Sequence, residues 1–341
     1  MDSYEKFLIS NKLSDFQQSK EWAKVKTLWK NEIITVCDND KIVLSISILI
    51  RKLPFFGYIM YVPRGPVGII HSENAFKELT EKIKELNKKY KAFVIIIEPN
   101  IGILDKKFYN MVKKIGYRIN SKAIKFSDEI QARHNFRLVL TGRTEEEVFK
   151  NFASKTRYNV RLAIKKGVTV KKMGIKGLDD FYSLMEETGK RDKFIIRPKS
   201  YFKEILESFE DKADIYIAYY EGHPVAGILP IIYGNKVTYL YGASSNSYRN
   251  VMATYLIQWE IIKLALDRKC DIYDFRGVSM DQGESGGLYR FKKGFGADFI
   301  ELIGEIYIPF KPVKFKIFKL AKKILYNYRH AVFNIKVKYN K

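Results

Sequence analysis

The order of its apolar segments constrains this chain more than any single residue does, because the same order occurs twice. In the first half, Ile33 to Val36 and Lys41 to Leu49 are alternating or apolar runs split by Asp38-Asn39-Asp40, the pattern of a hairpin. Tyr58 to Val62 follows as a strand, Glu73 to Lys89 as a helix rich in Glu and Lys, and Ala92 to Ile97 as a buried strand. In the second half, Ile215 to Tyr220 and Val225 to Tyr233 flank Glu221-Gly222-His223-Pro224, and Val237 to Tyr241 is the next strand. A helix from about Val251 to Asp267 then sets Tyr255, Trp259, Ile262 and Leu266 at helical spacing, before strand Ile272 to Phe275. Hairpin, strand, helix, strand, repeated once, predicts two copies of one α/β unit.

That order resembles the core of the acetyltransferase superfamily, so the expected fold class is α/β with mixed sheets, two acetyltransferase-like domains in tandem. An acetyl-CoA enzyme needs a Gly-rich loop before the central helix, where backbone N–H groups reach the pyrophosphate. Arg64-Gly65-Pro66-Val67-Gly68 and Ser244 to Asn250 do not supply one, so the donor is expected to be something else.

Charge narrows the partners. The 341 residues carry 61 Lys+Arg against 38 Asp+Glu, a net +23, which favours polyanions: nucleic acid, phosphorylated substrates or an anionic membrane surface. Nine basic residues and no acid lie between Lys150 and Lys176, and ten and no acid follow Glu305, so two stretches carry most of the excess. Two separated cysteines, Cys37 and Cys270, give neither a disulfide framework nor a metal spacing, which fits a reducing cytoplasm. The N-terminal residues lack the pattern of a signal peptide, and no run of about 18 apolar residues offers a membrane span.

Between the repeats, Thr144-Glu145-Glu146-Glu147 reads as a capping box and Gly167 as a helix stop. On that helix Val148, Phe152, Val160 and Ile164 are expected to face the core, while Arg157, Arg161 and Lys165, at i, i+4 and i+8, make a cationic stripe. From Pro312 a last helix sets Ile317, Phe318, Ala321, Ile324, Leu325 and Tyr328 on one face with lysines largely elsewhere, the profile of a helix that lies on an anionic surface.

The chemistry is conspicuous for what it omits. His71, His134, His223 and His330 are scattered among expected turns and surfaces, and neither a His-centred triad nor a ligand cluster emerges. Without a nucleophile or metal set, a reaction is feasible when the substrate arrives activated, leaving orientation and electrostatics to do the catalysis. One cation stands out. In Phe291-Lys292-Lys293-Gly294-Phe295-Gly296, downstream of strand Tyr273-Asp274-Phe275-Arg276-Gly277, Lys292 lies between aromatics and glycines, and a cation on an apolar wall marks an anion site.

Seven segments in order carry a wider resemblance: Trp22-Ala23-Lys24-Val25-Lys26; Ala92 to Pro99; Ser154-Lys155-Thr156-Arg157 with Gly167-Val168; Arg197 with Tyr201; Tyr239-Leu240-Tyr241-Gly242; Tyr273-Asp274; and Phe291-Lys292 through Gly304-Glu305. Over essentially the whole chain they resemble the Fem family of peptidoglycan-bridge aminoacyltransferases. The resemblance implies residues 1–132 plus 304–341 as the first domain, with a returning C-terminal segment, and 133–303 as the second. It implies no cofactor: aminoacyl-tRNA is the co-substrate and donates glycine, alanine or serine to a stem-peptide amine of lipid II or of UDP-MurNAc-pentapeptide. The expected protein is a cytoplasmic monomer, peripheral on the inner face of the membrane. The long helical arm of the staphylococcal members has no room between Tyr201 and Asp214, so the chain resembles a compact, armless branch.

By position, Lys292 with Phe291 resembles the family's catalytic-loop pair, Lys292 stabilising negative charge near the tRNA 3′ end or at the oxyanion. Lys26 and Arg197 resemble cations that hold the precursor's diphosphate, and Tyr201 and Tyr241 tyrosines that line its groove. Glu98 resembles a carboxylate that orients or deprotonates the acceptor amine. Phe93 stands where one branch has a site tyrosine, so a hydroxyl contact is missing. Arg157, Arg161 and Lys165 are the candidate contacts to tRNA phosphate. The residues alone leave plainer readings open: a snorkelling Lys292, surface charges at Lys26 and Arg197, core aromatics at Tyr201 and Tyr241, an edge cap at Glu98, and a solvated helix face for the stripe. At the level of the whole chain, a transferase acting on a protein N-terminus or lipid head group, or a non-catalytic RNA- or membrane-binding protein, also stays open.

Overall fold

The computed structural model describes residues 2–124 and 130–339, with side chains followed to residue 328 apart from Tyr326. His330 therefore lies outside the described side chains. In chain order the elements are α1 (Ser3–Ser10), α2 (Lys20–Val25), β1 (Lys30–Asp38), β2 (Lys41–Leu53), β3 (Gly57–Pro63), β4 (Val67–Gly68), α3 (Glu73–Tyr90), β5 (Val94–Glu98), α4 (Lys106–Ile115) and β6 (Arg118–Asn120). They continue with β7 (His134–Val139), α5 (Glu145–Lys150), α6 (Ser154–Lys165), β8 (Thr169–Lys172), α7 (Leu178–Asp192), α8 (Lys199–Phe209), β9 (Tyr216–Tyr220), β10 (His223–Tyr233) and β11 (Lys236–Ser244). The last are α9 (Ala253–Asp267), β12 (Ile272–Gly277), α10 (Gly287–Lys293), β13 (Asp298–Glu301), β14 (Glu305–Ile308) and α11 (Pro312–Tyr339).

The chain divides into two compact units, Met1–His134 with Ile300–Tyr328, and one built on Asn135–Phe299. Unit 1 holds a seven-stranded sheet ordered β1-β2-β3-β5-β14-β6, with β4 on β2. The late strand β14 completes it by pairing antiparallel with both β5 and β6. Unit 2 holds a seven-stranded sheet ordered β13-β7-β12-β11-β10-β9-β8. Each copy has the predicted hairpin, then a strand antiparallel to it that runs parallel to the strand after the helix: β3 beside β5 and β11 beside β12. The fold is thus α/β with two mixed sheets, each unit resembling an acetyltransferase domain.

Local signals explain the elements. The Ser72 hydroxyl accepts from the N–H of Ala75 and starts α3, and Lys91 in a left-handed conformation ends it. Between those caps Phe76, Leu79 and Ile83 bury one face against the sheet. The capping box Thr144/Glu147 is formed as expected, and Gly167, at φ +82°, closes α6.

Three expectations are corrected. The helix predicted from Thr144 to Gly167 is two helices, broken where the Ala153 N–H turns to the Gly294 carbonyl. The break resets the phase, so α6 buries Thr156, Asn159, Val160 and Ala163 while Ile164 is exposed. The apolar arc expected on the C-terminal helix is divided between protein and solvent. Phe315 and Phe318 pack on unit 1, against Phe93 and Phe56, while Ile317, Ile324, Leu325 and Tyr328 are exposed. Of the described histidines, His134 is not on the surface but buried at the start of β7. Among the described residues no helix is long and apolar enough to cross a membrane.

Candidate active site

In unit 1, β3 and β5 stay in register to their C-terminal ends, where Pro63 lies opposite Glu98. The C-terminal ends of neighbouring parallel strands are where α/β folds place ligand chemistry. Glu98 is 3% exposed, and two groups donate to its carboxylate: the Tyr61 hydroxyl, and the Gln131 N–H at 2.9 Å. The Gln131 side-chain amide donates in turn to the Tyr61 oxygen at 2.9 Å. Burial pushes the Glu98 carboxyl up to about 7, while the Arg64 guanidinium draws it back. A carboxyl balanced between its two forms near neutrality suits general acid–base work.

Lys26 lies in the same unit, at the end of α2, with its ammonium 4.1 Å from the centre of the Trp22 ring. Its carbonyl accepts from the Trp29 N–H at 2.7 Å, and the Trp29 ring stands 6.3 Å from that of Tyr61. The Lys26 side chain thus lies on Trp22, while its backbone, through Trp29, borders Tyr61. Phe93 does not join them. It is buried among Phe56, Phe315 and Phe318, under α11, so the position that holds a site tyrosine in one branch is covered here.

Unit 2 differs at the equivalent place. β11 pairs with β12 only from Lys236 to Thr238, opposite Ile272 to Asp274, while β12 goes on to pair with β7 as far as Gly277. The two parallel strands therefore splay, and a cleft of about 420 Å³ opens beside the free end of β11. Tyr239, Arg191, Arg249, Thr254, Gln258 and Phe291 line it. Gly242 sits under the Tyr239 ring so closely that a Cβ would fall 1.8 Å from the hydroxyl. Only glycine lets that tyrosine lie flat there.

Lys292 lies beside the cleft, just beyond the loop that follows β12. It sits on α10, 4% exposed, its ammonium 5.9 Å from the centre of the Tyr239 ring. Its Nζ donates to the carbonyls of Phe275, Arg276 and Gly277 at 2.7, 3.3 and 2.6 Å. Three consecutive carbonyls converge because Arg276 is left-handed at φ +59°, a conformation costly for a side chain of that size. The lysine holds that bend in place. Burial pulls its pKa down to about 7, against the pull of the neighbouring Asp274 carboxylate. Asp274 is also buried, but the cations Arg137, Arg276 and Lys236 more than offset burial and hold it at about 2. Arg137 reaches it at 3.2 Å and the Arg276 N–H at 2.7 Å.

On the same unit the Arg197 guanidinium lies 5.2 Å from the centre of the Tyr201 ring, and the Tyr201 and Tyr241 rings meet edge to face at 6.5 Å. The structure thus groups Arg197, Tyr201 and Tyr241. It ties down part of the stripe on α6: Arg157 donates to the carbonyls of Lys150 and Phe152, and Arg161 lies 5.3 Å from the centre of the Phe149 ring, while Lys165 is exposed. Sequence reasoning missed Tyr61, Gln131, Trp29, Arg64 and Gln258. Tyr61, one of two tyrosines in an otherwise apolar strand and the buried one, carried a signal; Gln131 carried none, because only the fold returns it to Glu98.

Comparison with known proteins shows the family. The FemAB family model matches residues 1–223 and 219–323. A lipid II:glycine glycyltransferase of Staphylococcus epidermidis is 27% identical, with 94% of each chain covered. A crystal structure of FemX superposes at a TM-score of 0.85 and 24% identity, covering 94% of this chain and 98% of that one. A tandem GNAT protein from the clavulanic acid pathway shares the fold at a TM-score of 0.54 and 10% identity, over 84% of this chain and 86% of its own. The chain therefore belongs to the FemAB family, the Fem aminoacyltransferases of peptidoglycan-bridge synthesis.

Proposed function

We propose that this enzyme takes glycine, alanine or serine from aminoacyl-tRNA and adds it to the stem-peptide amine of lipid II. The observation that carries the donor half is the splayed strand pair of unit 2. Its cleft has aromatic walls for a nucleobase, at Phe291 and Tyr239, and an arginine for phosphate at Arg249, while Arg191 on the same lining is paired with Asp192. The acceptor half draws on the full-length likeness to lipid II:glycine glycyltransferases.

In the step we propose, the acceptor nitrogen attacks the ester carbonyl carbon, forming the C–N bond as the bond to the ribose oxygen breaks. Glu98 takes the proton that the amine loses, and that proton is passed on to the departing ribose oxygen, so none is gained or lost overall. Lys292 keeps positive charge beside the donor cleft and, by releasing its 3.3 Å bond to the Arg276 carbonyl, has a proton to turn toward the developing oxyanion. Lys26 and Arg197 are assigned to the precursor's diphosphate, Tyr201 and Tyr241 to its groove. The α6 cations Arg157, Arg161 and Lys165 are assigned to tRNA phosphate, an attraction that salt weakens.

Purified protein supplied with several charged tRNAs and with both lipid II and its soluble UDP-linked counterpart tests this by product mass. The expected product is a precursor heavier by one amino-acid residue, with lipid II the better acceptor. No mass gain on either precursor from any charged tRNA refutes the proposal.

A further inference from the structure

We propose that α11 and the tip of the β2–β3 hairpin form an interfacial surface that binds an anionic lipid bilayer. On α11, Val313, Ile317, Leu320, Ile324 and Tyr328 are 73, 56, 61, 62 and 66% exposed. They recur every three or four residues and so make one stripe, about 22 Å long at 1.5 Å per residue. The helix already has a different face on the protein: Phe315 lies against Phe93 and Tyr307, and Phe318 against Phe93 and Phe56. The exposed stripe is therefore not a core face seen from outside. A second feature stands beside it. Phe56 meets Phe318 at 5.4 Å, which puts the hairpin tip next to the helix, and the neighbouring Phe55 is 99% exposed. Phe55 is also left-handed, at φ +62°, an arrangement that costs energy and buries nothing in the protein.

Charge selects the occupant. Five lysines lie between residues 314 and 323, and no acid follows Glu305. A second copy of the helix would set lysine against lysine, and RNA offers no apolar surface for Val, Ile and Leu. An anionic bilayer meets both needs, taking the aliphatic stripe below its headgroups and the lysines among them. The inference deepens the lipid II reading by bringing the enzyme to the surface where that acceptor lies, but its test does not depend on transfer.

The full-length protein is floated with phosphatidylcholine vesicles, with and without phosphatidylglycerol. Binding is expected only to the anionic vesicles, weakening with salt. Ile317→Glu with Ile324→Glu is expected to lower the partition coefficient at least about tenfold, and Phe55→Ser by less. Because these side chains are exposed, the variants should keep the wild-type melting transition and transfer to the soluble UDP-linked precursor. Equal binding to neutral vesicles, no binding at all, or a double variant that binds like wild type overturns the inference. So does a loss confined to self-association or to tRNA binding. If vesicle binding behaves as expected but no precursor is aminoacylated, the proposed function fails and this surface stands.

Discussion

Lys292→Met is expected to lower single-turnover transfer by about 10² to 10³-fold, the loss typical of removing a preorganised charge at a reacting carbonyl. Methionine, one atom shorter, fills most of the buried site, so the change removes a charge and three donors and vacates little more than the ammonium's own space. The carbonyls of Phe275, Arg276 and Gly277 would then converge with nothing between them. Each buried acceptor left unsatisfied costs about 1–3 kcal/mol, so a fall in melting temperature accompanies the loss of activity. Lys292→Arg should not rescue, because a planar guanidinium does not fit a cage built for one tetrahedral ammonium. The pH dependence of stability gives an independent check. The folded pKa is lowered from 10.5 to about 7, so between those values the unfolded chain holds the proton more firmly. Wild-type stability should rise with pH across that window, and the Met variant should lose that rise. A variant with transfer within tenfold of wild type would remove Lys292 from the mechanism.

Glu98→Gln is expected to cost about a hundredfold in transfer while making the protein more stable near neutral pH. The amide oxygen can still accept from the Gln131 N–H, and the amide nitrogen, in place of the second oxygen, can donate to the Tyr61 oxygen, so the side chain keeps its position and the ionisable group is lost. The folded pKa is raised from 4.5 to about 7. The contribution of such a group to stability is therefore fully present below pH 4.5 and lost as pH rises through about 7, where a buried carboxylate has been forced to ionise. Removing it should recover on the order of 3 kcal/mol at pH 8, readable as a shift in the denaturant midpoint. Equal stability of the two proteins at pH 8, with undiminished transfer, would make Glu98 a structural cap.

The fold was legible because hairpin and helix signals are local: alternation, caps and turn residues marked β1 to β3, α3, β5 and their counterparts in unit 2 within a few residues. What failed were judgements that depend on packing. Ile164 has the right spacing on paper, but the break at Asn151–Ala153 shifts the phase of everything after it. Phe318 and Ile324 share an apolar arc, and only the position of Phe93 and Phe56 decides which of them faces the protein. The site was half legible. Lys292, Glu98 and Arg197 could be singled out by residue type and resemblance. The carbonyl cage, by contrast, needs a left-handed Arg276, and the link from Tyr61 to Gln131 spans 70 residues of sequence. The splay of β11 from β12 is a matter of pairing register, which no local signal encodes.

Glu98 and Lys292, both shifted toward neutrality by burial, are the two groups proposed for the ester-to-amine transfer. The pH dependence of single-turnover transfer at saturating charged tRNA and lipid II tests that assignment most directly. Glu98 must be ionised and Lys292 charged, and both titrate at about 7, so the rate should pass through a narrow maximum near neutral pH. Glu98→Gln should abolish the acidic limb and leave the basic one. A profile without a limb near pH 7, or an acidic limb unchanged in that variant, would contradict the account.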